Sequence, residues 1–249
     1  HTHDLEEKGN KNRRTRKKIV ETIADFHHAP HDSDGNHFGK VVDLFQKIGQ
    51  SGLTINDLIH QKEAWDFMVD QYENKEDTAS FIDYFWTYRF THFPLFNLLS
   101  AKIPKARVYH TISTGYAGLI ASVARHVHRR PTLLTEHGIY TKERKLEIAQ
   151  AEWIFVAKED RVRVQRDVST FQKLWIKLFE KLGHITYREA DRIFTLYEGN
   201  RKLEITEGAD PEKIEIIPNG IEIERFQKLK PLRFDDAERD KKAFTIAFV

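Results

Sequence analysis

The sequence contains no cysteine and a single methionine, and no long apolar run interrupts its charged and polar stretches. The absence of cysteine excludes disulfides, thiolate nucleophiles and cysteine-ligated metal sites. It also fits a reducing compartment. No apolar stretch reaches the roughly 18 residues of a membrane span, and no basic-then-apolar leader is visible. We therefore expect a cytoplasmic protein, with a role at the inner face of the cell membrane left open.

Neither sign of charge dominates the chain. Forty basic residues against 38 acidic ones give a formal net charge of +2. This balance does not support bulk nucleic-acid binding, and it is compatible with a phosphate ligand or a protein partner. A length of 249 residues suffices for one large domain or two ordinary ones.

The first third of the sequence is predicted to be helical. Apolar spacing and breakers indicate helices at residues 13–27, 40–49, 56–74 and 80–100, with a loop over residues 27–40 and an interruption of the last helix near Pro94. Residues 81–96 hold a run of Phe, Tyr and Trp. A sugar-stacking or base-stacking platform is one interpretation of that run, but its helical spacing favours the core, and we assign it there.

One group of histidines and aspartates is a candidate metal site. It comprises His27, His28, His31, His37, Asp32 and Asp34. The spacing fits no standard metal site, and a solvated loop is the simpler interpretation. We therefore expect no metal.

From Ala106 onward the pattern changes to alternating strands and helices. "ARVYHTIS" and "TLLTEHG" have the apolar content of strands, and "TGYAGLIASVARHV" between them has the period of a helix. Such a βαβ unit requires a parallel sheet. Further on we expect a helix capped by Thr141 that runs to about Trp153, a helix at 170–182, a strand at 192–196, a helix closed by Gly208 and a strand in "KIEII". The prediction is an α/β fold.

Two polar segments follow predicted strands of this sheet. Glu136, His137 and Gly138 come directly after "TLLT", at the carboxyl end where open α/β sheets bind their ligands. Ser113 to Gly115 join a strand to a helix, where free amides favour an anion or a sugar hydroxyl. The purely structural alternatives are a simple turn for the first segment and helix capping for the second.

These segments carry a resemblance to a known family. The order strand, helix, Gly-Ala-Asp-Pro turn and "KIEIIPNGIEIERF" resembles the end of the amino-terminal domain in retaining GT-B glycosyltransferases of family 4. More specifically, "HTISTGYAG", "TEHGIYTKERK", "AEW", "EAWDFM" and "SFIDYFWTYRFTHFPLF" resemble the cytosolic glycosyltransferases of Pel-type exopolysaccharide synthesis. The resemblance covers roughly residues 63–226.

The resemblance implies a fold and a division of the chain. The fold would be the amino-terminal half of a GT-B enzyme, a Rossmann-like parallel sheet with flanking helices and a largely helical insertion at about residues 40–100. Residues 1–226 would form a partial acceptor-side domain whose first strands precede His1. Residues 227–249 would be a linker and the first strand of a carboxy-terminal nucleotide-sugar domain.

The resemblance also implies an activity. The parent protein would be a hexosyltransferase that uses a UDP-sugar donor with retention of configuration in bacterial exopolysaccharide synthesis, and this chain alone would be inactive. It would need no cofactor or metal. Its partners would be the UDP-sugar, a glycan or lipid-linked acceptor and a membrane-associated polysaccharide synthase complex. The alternatives are another GT-B enzyme, such as a UDP-sugar epimerase, and a non-enzymatic binding or scaffold domain with a Rossmann core.

Site residues follow from the matched motifs. His137 falls at the family's histidine near the donor hexose and would hydrogen-bond and orient the sugar. Asn219 and Gly220 would form a hinge that permits domain closure. The remaining residues are expected to contact the substrate, and they are Ser113, Thr114, Gly115, Glu136, Gly138, Tyr140, Lys142 and Arg144.

Overall fold

The computed structural model describes residues 17–23, 36–48, 62–74, 80–151 and 169–224. The chain divides into two compact units, His1–Ile217 and Pro218–Val249. The sheet and the helices given below belong to the first unit. The described part of the second unit starts as exposed coil. The domain boundary expected at residue 226 stays a prediction.

The described residues in the first third of the chain are helical, as the sequence predicts. Residues 17–23 are helical, and they are followed by α1 (Asn36–Ile48), α2 (Lys62–Glu73) and α3 (Phe81–Leu99). Helix α1 buries Phe38, Val42 and Phe45, which recur at the spacing of one helical face. This stripe begins inside the stretch that the sequence assigns to a loop, so the predicted start of the helix at residue 40 is wrong by four residues.

The interruption expected at Pro94 is also wrong, because α3 runs unbroken through this proline. A proline inside a helix leaves the carbonyl four residues earlier, here that of Phe90, without its amide partner. The side chains of Phe90 and Asn97 are exposed, so this carbonyl lies on the solvent side of the helix. The opposite face buries Thr91, His92 and Phe96, and that packing holds both halves of the helix in line.

Four parallel strands form the sheet. They are β1 (Tyr109–Thr111), β2 (Thr132–Glu136), β3 (Arg192–Thr195) and β4 (Ile214–Ile216), and they lie side by side in chain order. The register pairs Thr111 with Leu134, Leu134 with Ile193 and Ile193 with Ile214. The chain is therefore an α/β protein with a parallel sheet flanked by helices, a Rossmann-like half-domain as the sequence predicts.

Helices connect each pair of strands. Helix α4 (Gly115–His128) joins β1 to β2, α5 (Tyr140–Gln150) and α6 (Thr170–Glu189) lie between β2 and β3, and α7 (Glu198–Thr206) with the 3₁₀ turn Pro211–Lys213 leads to β4. Helix α6 is longer than the predicted 170–182, because it continues past Gly183. A side chain at Gly183 would lie 2.7 Å from the Thr141 hydroxyl. The glycine thus lets α5 approach α6.

The main core lies between the helices of the first third, α1 to α3 (the front helices), and the connecting helices α4 to α6. Buried apolar residues from α1, α3, α4 and α6 form one cluster, with Phe45, Phe96, Leu119 and Phe179 among its members. Each such side chain contributes about 2 kcal/mol to folding through burial. A smaller cluster under the sheet contains Leu134, Tyr187 and Ile193. The front helices therefore brace the connecting helices whose first turns border the site.

Candidate functional site

The carboxyl ends of the strands meet at one edge of the sheet, because all four strands are parallel. Helices α4, α5 and α7 begin within four residues of the ends of β1, β2 and β3. Their amino termini carry a partial positive charge from the peptide dipoles. This edge therefore brings three helix starts together, at the position where such folds bind anions and polar ligands.

Glu136, the last residue of β2, is the anchor of this edge. Its side chain is only 1 % exposed. One carboxylate oxygen accepts a hydrogen bond from the Tyr187 hydroxyl at 2.6 Å. The other accepts from the Tyr140 amide at 3.3 Å and from the Thr114 hydroxyl at 3.4 Å. One buried carboxylate thus ties β2 to the starts of α4 and α5 and to the last turns of α6.

The predicted cap at Thr141 is wrong. Ile139 is the residue that precedes α5, and its side chain makes no capping bond. The Glu136 carboxylate meets the first amide of the helix instead, at Tyr140. The Thr141 hydroxyl is buried and has no hydrogen-bond partner among the described residues. It lies against Gly183 of α6.

A second buried carboxylate lies beside this anchor. Glu204 of α7 is fully buried, and neither its carboxylate oxygens nor the nearby Thr195 hydroxyl has a partner in hydrogen-bond geometry within the described ranges. Burial raises the pKa of Glu204, while Thr195 and Arg201 lower it by smaller amounts.

The carboxyl group of Glu136 has a raised pKa of about 7, and burial is the main cause. The hydrogen bonds from Tyr187 and Tyr140 lower this pKa, but by less than burial raises it. The charge of Glu204 adds to the rise. Glu136 is thus poised to gain or lose a proton near neutral pH.

His137 has its backbone fixed and its ring exposed. Its carbonyl accepts a hydrogen bond from the Asn200 side-chain amide at 3.0 Å. The preceding residue is the buried Glu136 anchor. The imidazole itself is exposed. The backbone thus fixes where the side chain starts, and the exposed ring nitrogens can meet a ligand.

The Ser113–Gly115 turn packs onto the same anchor. Thr114 is buried and donates its hydroxyl to Glu136, so it does not cap α4. The first turn of α4 therefore has no side-chain cap at Thr114, contrary to the capping alternative. Gly115 has φ +70°, and a Cβ there would lie 2.4 Å from the Tyr140 ring. Glycine is required both by the left-handed backbone and by the close approach of Tyr140. Ser113 is half-buried, and its carbonyl accepts from the Thr111 hydroxyl.

The other predicted residues lie along α5 and around its start. The Glu143 carboxylate lies over Gly138, within 2.4 Å of where a Cβ would be. Lys142 is exposed. Arg144 is held on its own helix, with its guanidinium 5.2 Å from the Tyr140 ring and 2.7 Å from Glu147. Asn219 and Gly220 are exposed in the second unit, and their hinge role stays a prediction.

Three residues that hold the site were missed by the sequence analysis. Tyr187, Asn200 and Glu204 come from α6 and α7. The spacing of Asn200 and Glu204, four residues apart, puts both on one helical face, and this was an available signal. It was hidden because α7 is charged on most of its surface, so nothing marked that face as buried.

The described residues form neither a metal-binding cluster nor a helix that could span a membrane. They contain no group of three or more His, Asp or Glu side chains placed to hold a metal ion. Of the predicted histidine and aspartate group, all but His37 lie outside the described residues. No helix in the described part is long and apolar enough to cross a membrane.

Residues 1–212 match a family described as "Domain of unknown function (DUF3492)". This chain belongs to the DUF3492 family. The matched range contains β1, β2, β3 and every helix start at the carboxyl edge, so the candidate site lies within the DUF3492 domain. No curated protein and no solved structure matches the chain. The family description states no activity, so the function has to be inferred from the residues and geometry of the site.

Proposed function

We propose that the chain is the acceptor-side domain of a retaining hexosyltransferase that uses a UDP-sugar donor, in bacterial exopolysaccharide synthesis. The resemblance of "TEHGIYTKERK" and "HTISTGYAG" to that family supports the proposal. Both motifs border one edge of a parallel sheet, where ligands of such folds bind. This domain would act together with a donor-binding domain.

The observation that carries the proposal is the presentation of His137. The Glu136 carboxylate holds the loop from the sheet side, and the Asn200 amide holds it from α7. The backbone of His137 is therefore fixed at the edge of the sheet, and its exposed ring reaches a sugar hydroxyl by rotation about the side-chain torsions. In this role His137 orients the hexose and need not abstract a proton.

The helix starts fit the other half of the reaction. As the bond from the sugar to the diphosphate breaks, positive charge develops on the hexose and negative charge on the departing UDP. The first turn of α4, which Thr114 does not cap, and the exposed ammonium group of Lys142 would attract the departing anion, against the carboxylates of Glu136 and Glu143 at the same edge. The helix start and the ammonium group would favour an anionic substrate in the cleft.

The test is UDP release by the full-length parent protein with a panel of UDP-hexoses and UDP-N-acetylhexosamines. We expect turnover of one donor class and a loss of about 100-fold or more in His137→Ala. His110→Ala is the matched control, because His110 is also exposed but lies within β1 and bonds Thr135. Absence of turnover with every donor, together with absence of UDP binding by calorimetry, would favour the scaffold alternative.

A further inference from the structure

One face of α3 carries an exposed apolar stripe. The assignment of this aromatic segment to the core is wrong for three of its eight Phe, Tyr and Trp residues. Ile82, Trp86, Phe90 and Phe93 remain 66, 44, 61 and 43 % exposed. They recur at spacings of four, four and three residues, so they line a single side of the helix. The core-facing residues of α3, such as Tyr84 and Phe96, lie on other sides.

The stripe is comparable in area to the largest exposed apolar patch of a typical monomer, and such patches are often functional. With about 200 Å² for each large side chain, the exposed fractions leave roughly 400 Å² of apolar area on α3, and Trp65 of α2 adds about 100 Å². Trp65 is 46 % exposed and contacts Phe85 on α3 at 5.9 Å between ring centroids. Patches of this size on soluble domains mark interaction sites.

Charge on the helix narrows the class of partner. Helix α3 contains one acid, Asp83, and one strong base, Arg89, which lies over the rings of Phe85 and Trp86. A helix that binds an anionic membrane surface carries several basic residues beside its apolar face, and α3 does not. A stripe without net charge gains no electrostatic attraction from a strongly charged protein. It also has no electrostatic repulsion against a second copy of itself.

The spacing of the stripe is self-complementary. In an antiparallel pair centred near Tyr88, Trp86 of one helix would lie beside Phe90 of the other, and Ile82 beside Phe93. Spacings of three and four residues are those by which two helices interlock their side chains. With Trp65 included and all of this surface covered, two copies would together bury at most about 1,000 Å², the size at which specific interfaces begin.

We propose that the stripe of Ile82, Trp86, Phe90 and Phe93 is a self-association surface, and that its occupant is α3 of a second copy of this chain. The dimer would be weak, since its area is near the lower limit for specific complexes. It would also be symmetric, with the same residues contributed by both copies.

The first experiment is sedimentation velocity of the 249-residue chain at about 1 to 200 µM. We expect a reversible monomer–dimer equilibrium for the wild type. Phe90→Glu should weaken the dimer by roughly 30-fold or more, as for the central aromatic residue of an interface. Leu146→Glu is the control, because Leu146 is 57 % exposed on α5, away from the stripe. Thermal unfolding should be similar for all three proteins.

A second experiment remains informative if a glutamate variant fails to fold. Since the chain has no cysteine, Phe90→Cys and Leu146→Cys each introduce a single thiol. A short bis-maleimide should link Phe90→Cys into dimers and leave Leu146→Cys monomeric. A wild type that stays monomeric at 200 µM, or equal cross-linking of both variants, would overturn the proposal. Flotation of the monomeric chain with anionic vesicles, lost in Phe90→Glu, would overturn it in favour of a membrane partner.

Discussion

Replacing Glu136 by glutamine tests whether the site is built on a buried carboxyl group with a raised pKa. Glutamine keeps the shape, and its amide oxygen can still accept the Tyr187 hydroxyl that now bonds the carboxylate. The substitution removes two accepted hydrogen bonds, because its amide nitrogen faces the Tyr140 amide and the Thr114 hydroxyl, and this cost is the same at every pH. It also removes the titration. Its effect on the free energy of unfolding should therefore depend on pH.

The magnitude follows from the shift in pKa. Burial raises the pKa of Glu136 from 4.5 to about 7. The folded state therefore binds more protons than the unfolded state between these values, and the stabilisation present below pH 4.5 is lost as pH rises through about 7. At 1.36 kcal/mol per unit, the wild type should lose about 3 kcal/mol from this group between pH 4.5 and pH 8.

The assay is urea-induced unfolding followed by circular dichroism at pH 5, 6, 7, 8 and 9. Between pH 5 and pH 8 the stability of Glu136→Gln relative to the wild type should rise by about 2.5 kcal/mol, on top of an offset that does not change with pH. Glu143→Gln, which changes an exposed carboxylate on α5, should follow the wild-type curve. If the curves of the wild type and Glu136→Gln run parallel across the whole range, Glu136 is not a buried titrating group and the reasoning fails.

Two other predictions concern local structure, and thermal or urea unfolding measures both. Gly115→Ala should destabilise the chain by about 2 kcal/mol or more, because it places a Cβ at φ +70° within 2.4 Å of Tyr140. Gly220→Ala is the control and should have little effect, because no atom lies within 4 Å of its added Cβ. Equal losses of stability in the two variants would contradict the packing described for Gly115. Ser169→Ala should cost about 1 kcal/mol, because Ser169 and Gln172 form a reciprocal cap at the start of α6; an unchanged stability would mean that the cap contributes nothing.

The fold was predictable where local patterns and packing agree. The strands and helices from Tyr109 onward follow from alternating apolar periods, and Gly208 closes α7 with φ +99°, as its sequence position indicates. Pro94 shows where such rules fail. Its local preference argues for a break, but packing of the buried face of α3 outweighs it, and that packing cannot be seen from the residues themselves.

The site was only partly predictable, for a related reason. The motifs drew attention to Glu136 and His137, but nothing in the sequence shows that one side chain turns inward and the other outward. That difference depends on Tyr187 and Asn200, which are more than 50 residues away in the chain. Likewise, helical spacing alone does not tell the exposed stripe of α3 from its buried face, because both are aromatic.

The most direct test of the central claim is a double-mutant cycle on the full-length parent protein, with kcat/KM for UDP release as the readout. His137→Ala should lower kcat/KM about 100-fold, and Asn200→Ala should lower it about 10-fold by releasing the loop carbonyl. Because Asn200 acts only through the placement of His137, the double variant should be no worse than His137→Ala. Wild-type activity in His137→Ala, or fully additive losses in the double variant, would contradict the account.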